Sequence, residues 1–182
     1  MTSRVLLFFF ALLFSGIVHA GDAGMSYAAE GEALLKGLPG SVRGLLDYAV
    51  SQAGVAYRRG GTRPETGFDC SGFVRYVFDH VEGLSLPHSS KAMSLIGNRI
   101  KLAELKPGDL VFFRIMRRGI SHVGIYLGEN RFIHAASTRT GSVVISDLGE
   151  SYWARRLTLA RRIALPDENI PESLAQARPL TN

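Results

Sequence analysis

One cysteine, Cys70, stands in a chain of 182 residues, so an internal disulfide is excluded. The same scarcity removes the paired C-x-x-C spacing of structural zinc sites, and no H-E-x-x-H segment takes its place. No block of Lys or Arg alternates with aromatic residues, which leaves nucleic acid without specific support as a partner. No apolar run reaches the ~20 residues of a membrane-spanning helix; the stretch from Val5 to Val18 has 14 residues. No internal repeat is present. Hydrophobic residues nevertheless make up 46% of the chain, which excludes wholesale disorder. The net charge of +5 suits an anionic partner without choosing one.

The ends separate from the middle. Arg4, the apolar Val5 to Phe14 and Val18-His19-Ala20 together read as a secretory signal over residues 1–20, cleaved after Ala20. No cysteine lies near Ala20 to be acylated. The processed protein is therefore expected to be periplasmic or secreted, without a stable membrane anchor, and monomeric. Residues 21–40 are small and Gly-rich and read as a linker, with a short helix around Ala28 to Leu35. Residues 41–165 carry the periodicity of one folded domain. Residues 166–182 set Pro166, Pro171 and Pro179 among polar residues and read as a disordered tail.

Helices come first in the middle segment. Val42, Leu45, Leu46, Ala49, Val50 and Ala53 recur at helical spacing, with Ser41 as the predicted N-cap. Cys70, Phe73, Val74, Val77, Phe78 and Val81 predict a second helix over 70–81, capped by Asp69. A shorter helix is expected from Ser90 to near Gly97. Five strands follow: Asp109 to Arg114, His122 to Leu127, Phe132 to Ala136, Val143 to Asp147 and Leu157 to Ile163. Their close spacing predicts antiparallel pairing and the α+β class, with N-terminal helices packed on an antiparallel sheet.

Cys70 lies both on the apolar stripe of its helix and in its first turn. A lone cysteine is usually a small buried hydrophobe. The free N–H groups and positive dipole end of a helix start favour a thiolate instead, which predicts a thiol reactive below the pH of a free cysteine. Gly72 costs helix propensity, ~1 kcal/mol relative to Ala; a helix start that admits a substrate chain would gain room from it.

Two histidines flank one turn. His122, Gly124 and Tyr126 share a face of their strand, and Phe132 and His134 share a face of the next. A loop of three or five residues brings both imidazoles to the same side, diagonal or directly opposite; a two-residue loop separates them. One ring would then act as base and the other would fix its tautomer. A zinc ion held by two histidines and a thiolate is the competing reading, ranked lower for want of short local ligand spacing.

Five segments in order resemble the NlpC/P60 family of cell-wall peptidases. They are Gly54 to Gly61, Asp69 to Val74, Leu105 to Phe113, Ser121 to Gly128 and Phe132 to Ala135, and the similarity runs roughly from Leu45 to Ile163. Tyr152-Trp153 followed by Ala160-Arg161-Arg162 also resembles small exported murein endopeptidases. The resemblance implies a papain-like fold in circularly permuted order. It implies a catalytic triad of Cys70, His122 and His134, no metal or other cofactor, and hydrolysis of amides in peptidoglycan stem peptides or cross-links. Tyr57, Asp69 and Ser71 become candidates for oxyanion or substrate binding. The family pattern departs at His88 and Met93, both assigned to the cleft wall. Alternatives are an amidase or acyltransferase on the same scaffold and a non-catalytic wall-binding module.

Overall fold

The computed structural model describes residues 38–116, 119–137 and 141–165. The signal segment, nearly all of the linker with its expected helix, and the C-terminal tail lie outside the described residues. Helix α1 spans Gly40–Ser51 and buries Val42, Leu45, Leu46 and Ala49, the stripe its periodicity predicts. Its N-cap is Pro39, with no side-chain cap bond, rather than Ser41. Ser41 lies within the first turn, buried, and its hydroxyl finds no hydrogen-bond partner among the described residues. Proline's fixed φ starts the helix without a side-chain cap.

Helix α2 spans Cys70–Glu82 and buries Phe73, Val74, Val77 and Phe78. Asp69 caps it, accepting a hydrogen bond from the N–H of Gly72 at 2.7 Å. Helix α3 covers only Ser90–Met93, capped by the Ser89 hydroxyl, and so stops short of Gly97. Met93 is fully buried in the core, which corrects its assignment to the cleft wall. His88 is exposed.

A small hairpin pairs β1 (Thr62–Arg63) with β2 (Gly67–Phe68). The main sheet contains β3 (Asn98–Ile100), β4 (Leu110–Phe113), β5 (His122–Gly128), β6 (Arg131–Ala135), β7 (Val143–Asp147) and β8 (Leu157–Arg162). Its order is β3-β8-β4-β5-β6-β7, antiparallel throughout. A short helix, α4 (Ser151–Ala154), precedes β8. Strands β1 to β3 and α4 went unpredicted because two to four residues cannot display a period.

Both sheet faces are covered. Val123, Ile125, Leu127, Ile133 and Ala135 pack with α1 and α2 in the larger core. Val111, Phe113, Tyr126, Phe132 and Ala160 form a second cluster on the other face, roofed by Trp153 from α4. The β4–β8 seam is tied by an ion pair on a buried carboxylate: Arg162 reaches both carboxylate oxygens of Asp109, at 2.7 and 2.8 Å, and Asp109 is 1% exposed. That bidentate geometry is the strong form of the Arg–carboxylate bond.

Candidate active site

Asp69 does more than cap α2. One carboxylate oxygen takes the Gly72 N–H and the Ser71 hydroxyl; the other takes the N–H of Gly60 at 3.0 Å. The loop between Tyr57 and Gly61 is thereby tied to the helix start. Gly72 is explained by the same closeness: a Cβ there would fall on the carbonyl oxygen of Gly61. The room at the helix start is filled by the protein's own backbone, not kept for a substrate.

The main-chain N–H groups of Val123 (the residue after His122 on β5), Ser71 and Cys70 itself pull the Cys70 thiol toward its charged form. The helix that starts at Cys70 packs against β5, the strand that carries His122. Among the described residues, no direct hydrogen bond joins the thiol to the His122 ring; such contacts often tighten only once substrate is bound.

His122 Nε2 and His134 Nδ1 lie 2.8 Å apart, with the rings nearly perpendicular at 87°. The histidines share a face, as predicted, but not through an odd loop. The turn has two residues, Glu129 and Asn130, both at positive φ as a type I′ turn requires. A bulge between Tyr126 and Gly128 adds the extra residue that restores the parity. Ile125 then pairs with Ile133, so Gly124 faces His134 and His122 is its diagonal neighbour. A Cβ on Gly124 would sit 2.8 Å from the Phe132 ring and 3.2 Å from the Cβ of His134. Glycine at this step is what allows the close approach.

Aromatic rings enclose the pair. Trp153 lies over His122 at 5.6 Å and 25°, and meets His134 edge-on at 4.8 Å. Phe132 stacks on His134 at 4.7 Å, and Phe113 flanks His122 at 5.9 Å. His134 is wholly buried and His122 5% exposed. The Nε2 of His134 meets the Ser146 hydroxyl on β7 at 3.1 Å. Ser146 and the wall made by Trp153 escaped the sequence reasoning. Ser146 lies in a strand of ordinary alternation, and register alone brings it beside His134.

Burial sets the protonation states. It pushes the Cys70 thiol up to about 11, with the Asp69 charge adding to the rise and the main-chain N–H bonds opposing it. Burial lowers His122 to about 4, against a smaller upward pull from Asp69. His134 is driven well below the usual imidazole range by burial and by its neighbour His122. The resting pair is therefore a thiol beside a neutral imidazole. That direction runs against the thiol reactive below the pH of a free cysteine that the helix start predicts: desolvation outweighs the helix start.

The remaining candidates divide. Tyr57 is partly buried, and burial followed by the charges of Cys70 and Asp69 raises its phenol, so it keeps its proton. Ser71 turns inward; its one hydroxyl proton is shared between Asp69 at 3.0 Å and the carbonyl of His88 at 3.2 Å. Among the described residues, no group of three His, Cys, Asp or Glu side chains is arranged to hold a metal ion.

Comparison with known proteins places this geometry. The chain is 44% identical over 119 residues to the murein DD-endopeptidase MepS/murein LD-carboxypeptidase of Escherichia coli, covering 65% of this chain and 61% of that one. It is 44% identical over 129 residues to the gamma-DL-glutamyl hydrolase of Bacillus subtilis, covering 69% of this chain and 31% of the relative. The chain thus spans less than two thirds of the length of either relative. Among solved structures, the NlpC/p60 domain of the peptidoglycan hydrolase SagA superposes with a TM-score of 0.59 at 31% identity, over 67% of this chain and 98% of that domain. An NLP/P60 family protein of Staphylococcus aureus gives a TM-score of 0.61 at 36% identity, over 68% and 41% of the respective chains. The fold is α+β and papain-like, as the superposition on these NlpC/P60 structures shows. Residues 54–162, more than half of the 182, match the NlpC/P60 family, to which this chain belongs.

Proposed function

We propose that this protein is a cysteine peptidase that hydrolyses amide bonds in peptidoglycan stem peptides or cross-links. The observation that carries the reading is the 2.8 Å contact between His122 and His134, with His122 on the strand against which the Cys70 helix packs. When His134 Nδ1 accepts the Nε2–H of His122, the Nδ1 lone pair of His122 is left bare to take the thiol proton. Sulfur then attacks the amide carbonyl, forming the S–C bond. The C–N bond breaks as His122 returns the proton to the leaving amine, and water hydrolyses the thioester. The N–H of Cys70 and the phenol of Tyr57 stabilise the developing oxyanion; one such donor typically contributes about 3 kcal/mol. Asp69 holds the loop that carries Tyr57, and a contact from its remaining acceptor capacity to a substrate amine is a secondary role.

The names of the relatives support an amide substrate in the wall, and the net charge of +5 suits an anionic polymer. Incubation with defined muropeptides followed by mass spectrometry tests the reading. New free amines should appear without new reducing sugar ends, and Cys70→Ala should abolish them. Reducing ends without amines would sink it. The similarity to a gamma-DL-glutamyl hydrolase favours one specific second substrate, a free γ-glutamyl chain, which belongs in the same assay.

We place the mature protein outside the cytoplasm, as a monomer. The signal-like residues 1–20 support export, and no helix among the described residues is long and apolar enough to cross a membrane. Intact-mass measurement of the exported protein should begin at Gly21; a species retaining Val5 to Phe14 would overturn the proposed processing.

A further inference from the structure

The two-histidine chain does not end at His134. His134 is fully buried, so each of its ring nitrogens needs a partner. Nδ1 meets His122 and Nε2 meets the Ser146 hydroxyl at 3.1 Å. The ring's surroundings offer little else: Phe132 stacks on it at 4.7 Å and the Trp153 edge closes in at 4.8 Å. Sheet register builds the contact. Phe132 pairs with Ser146 and His134 with Val144, so Ser146 stands diagonal to His134 on the same face.

The direction of this bond decides whether His122 can be a base. If the hydroxyl accepts from Nε2–H, His134 Nδ1 carries a lone pair and accepts the Nε2–H of His122. A neutral His122 then presents a bare Nδ1 for the thiol proton. If the hydroxyl donates instead, the proton on His134 moves to Nδ1 and faces His122 Nε2. A neutral His122 must then carry its own proton on Nδ1 and cannot accept another there. We infer that Ser146 is a positioning residue that holds His134 in its Nε2–H tautomer and, through it, keeps His122 competent as the base. The inference rests on the reading of Cys70 and His122 as nucleophile and base.

Two variants of nearly one shape isolate the hydroxyl. Ser146→Thr keeps it and Ser146→Val replaces it with a methyl group, and both residues suit a strand. Loss of one net hydrogen bond in the base relay should lower kcat of Ser146→Val about tenfold, with KM unchanged. Ser146→Thr should recover most of that loss. Long-range proton–nitrogen NMR on the unmodified protein provides a readout independent of how the variants fold. His134 should be protonated at Nε2 and His122 at Nε2, and Ser146→Val should show a mixture of tautomers at His134. Equal activity in the Val and Thr variants, or a wild-type His134 protonated at Nδ1, would overturn the role of Ser146. An active Cys70→Ala would instead remove the reading beneath it, so the two failures are distinguishable.

Discussion

At Cys70 two opposing influences meet. The helix start and three main-chain N–H groups favour the thiolate, while burial and the Asp69 carboxylate oppose it, and the thiol ends up near 11. In the proposed reaction the pair starts neutral, and the proton moves to His122 as sulfur attacks. Native alkylation by iodoacetamide tests this directly. The labelling rate should climb about tenfold per pH unit through the neutral and mildly alkaline range, following the thiolate fraction. A plateau reached near pH 6 would reveal an ion pair already formed in the resting protein. Asp69 shows why one residue seldom has one role: its carboxylate caps α2, ties down the Tyr57 loop through Gly60, and helps hold the thiol protonated.

Among the elements, the β5–β6 hairpin matters most to the site. Its type I′ turn alone would place His122 and His134 on opposite faces, and the bulge before Gly128 reverses that outcome. Gly124 then leaves space where any side chain would press on Phe132 and the main chain of Ile133, 2.8 and 2.9 Å from a Cβ. Gly124→Ala should push β6 and His134 away from His122. A displacement of about 1 Å at a catalytic group can cost on the order of 100-fold, and kcat should fall by that order while circular dichroism stays native. Wild-type kcat in Gly124→Ala would show that the close approach is not needed. Helix α1 teaches a smaller lesson: its apolar stripe matches its periodicity, but its start is set by Pro39, and the buried Ser41 hydroxyl has no hydrogen-bond partner among the described residues.

Across the whole molecule, enclosing two imidazoles links activity to acid stability. Folded His122 titrates near 4 against an ordinary 6.5. Between those values the unfolded chain binds a proton at this residue that the folded chain does not, so stability falls as pH falls through the window. Above 6.5 the group contributes no further pH dependence. A displacement of that size corresponds to about 3 kcal/mol at the acid end, and His134 acts with the same sign. Urea unfolding from pH 7 down to pH 4 should show the loss. A double variant, His122→Leu with His134→Leu, should be flatter over the same range. Parallel curves for the two proteins would assign the acid sensitivity elsewhere.

The helix over 70–81, its Asp69 cap, five strands and their alternation were legible in the sequence because each is a local property. Periodicity, a capping residue and turn signals act within a few positions. The two histidines were legible as a pair because alternation assigns faces along a strand. What the local pattern left open was decided by packing. The bulge depends on how two strands settle against each other, Gly72 answers to a loop more than ten residues upstream, and Met93 is core because α3 turns it inward. Ser146 reaches His134 only through the β6–β7 register, and Trp153 covers the imidazoles only once α4 folds over the sheet. The protonation of the pair was likewise beyond the sequence, because a helix start can be named from local residues whereas the desolvation that outweighs it exists only in the assembled interior.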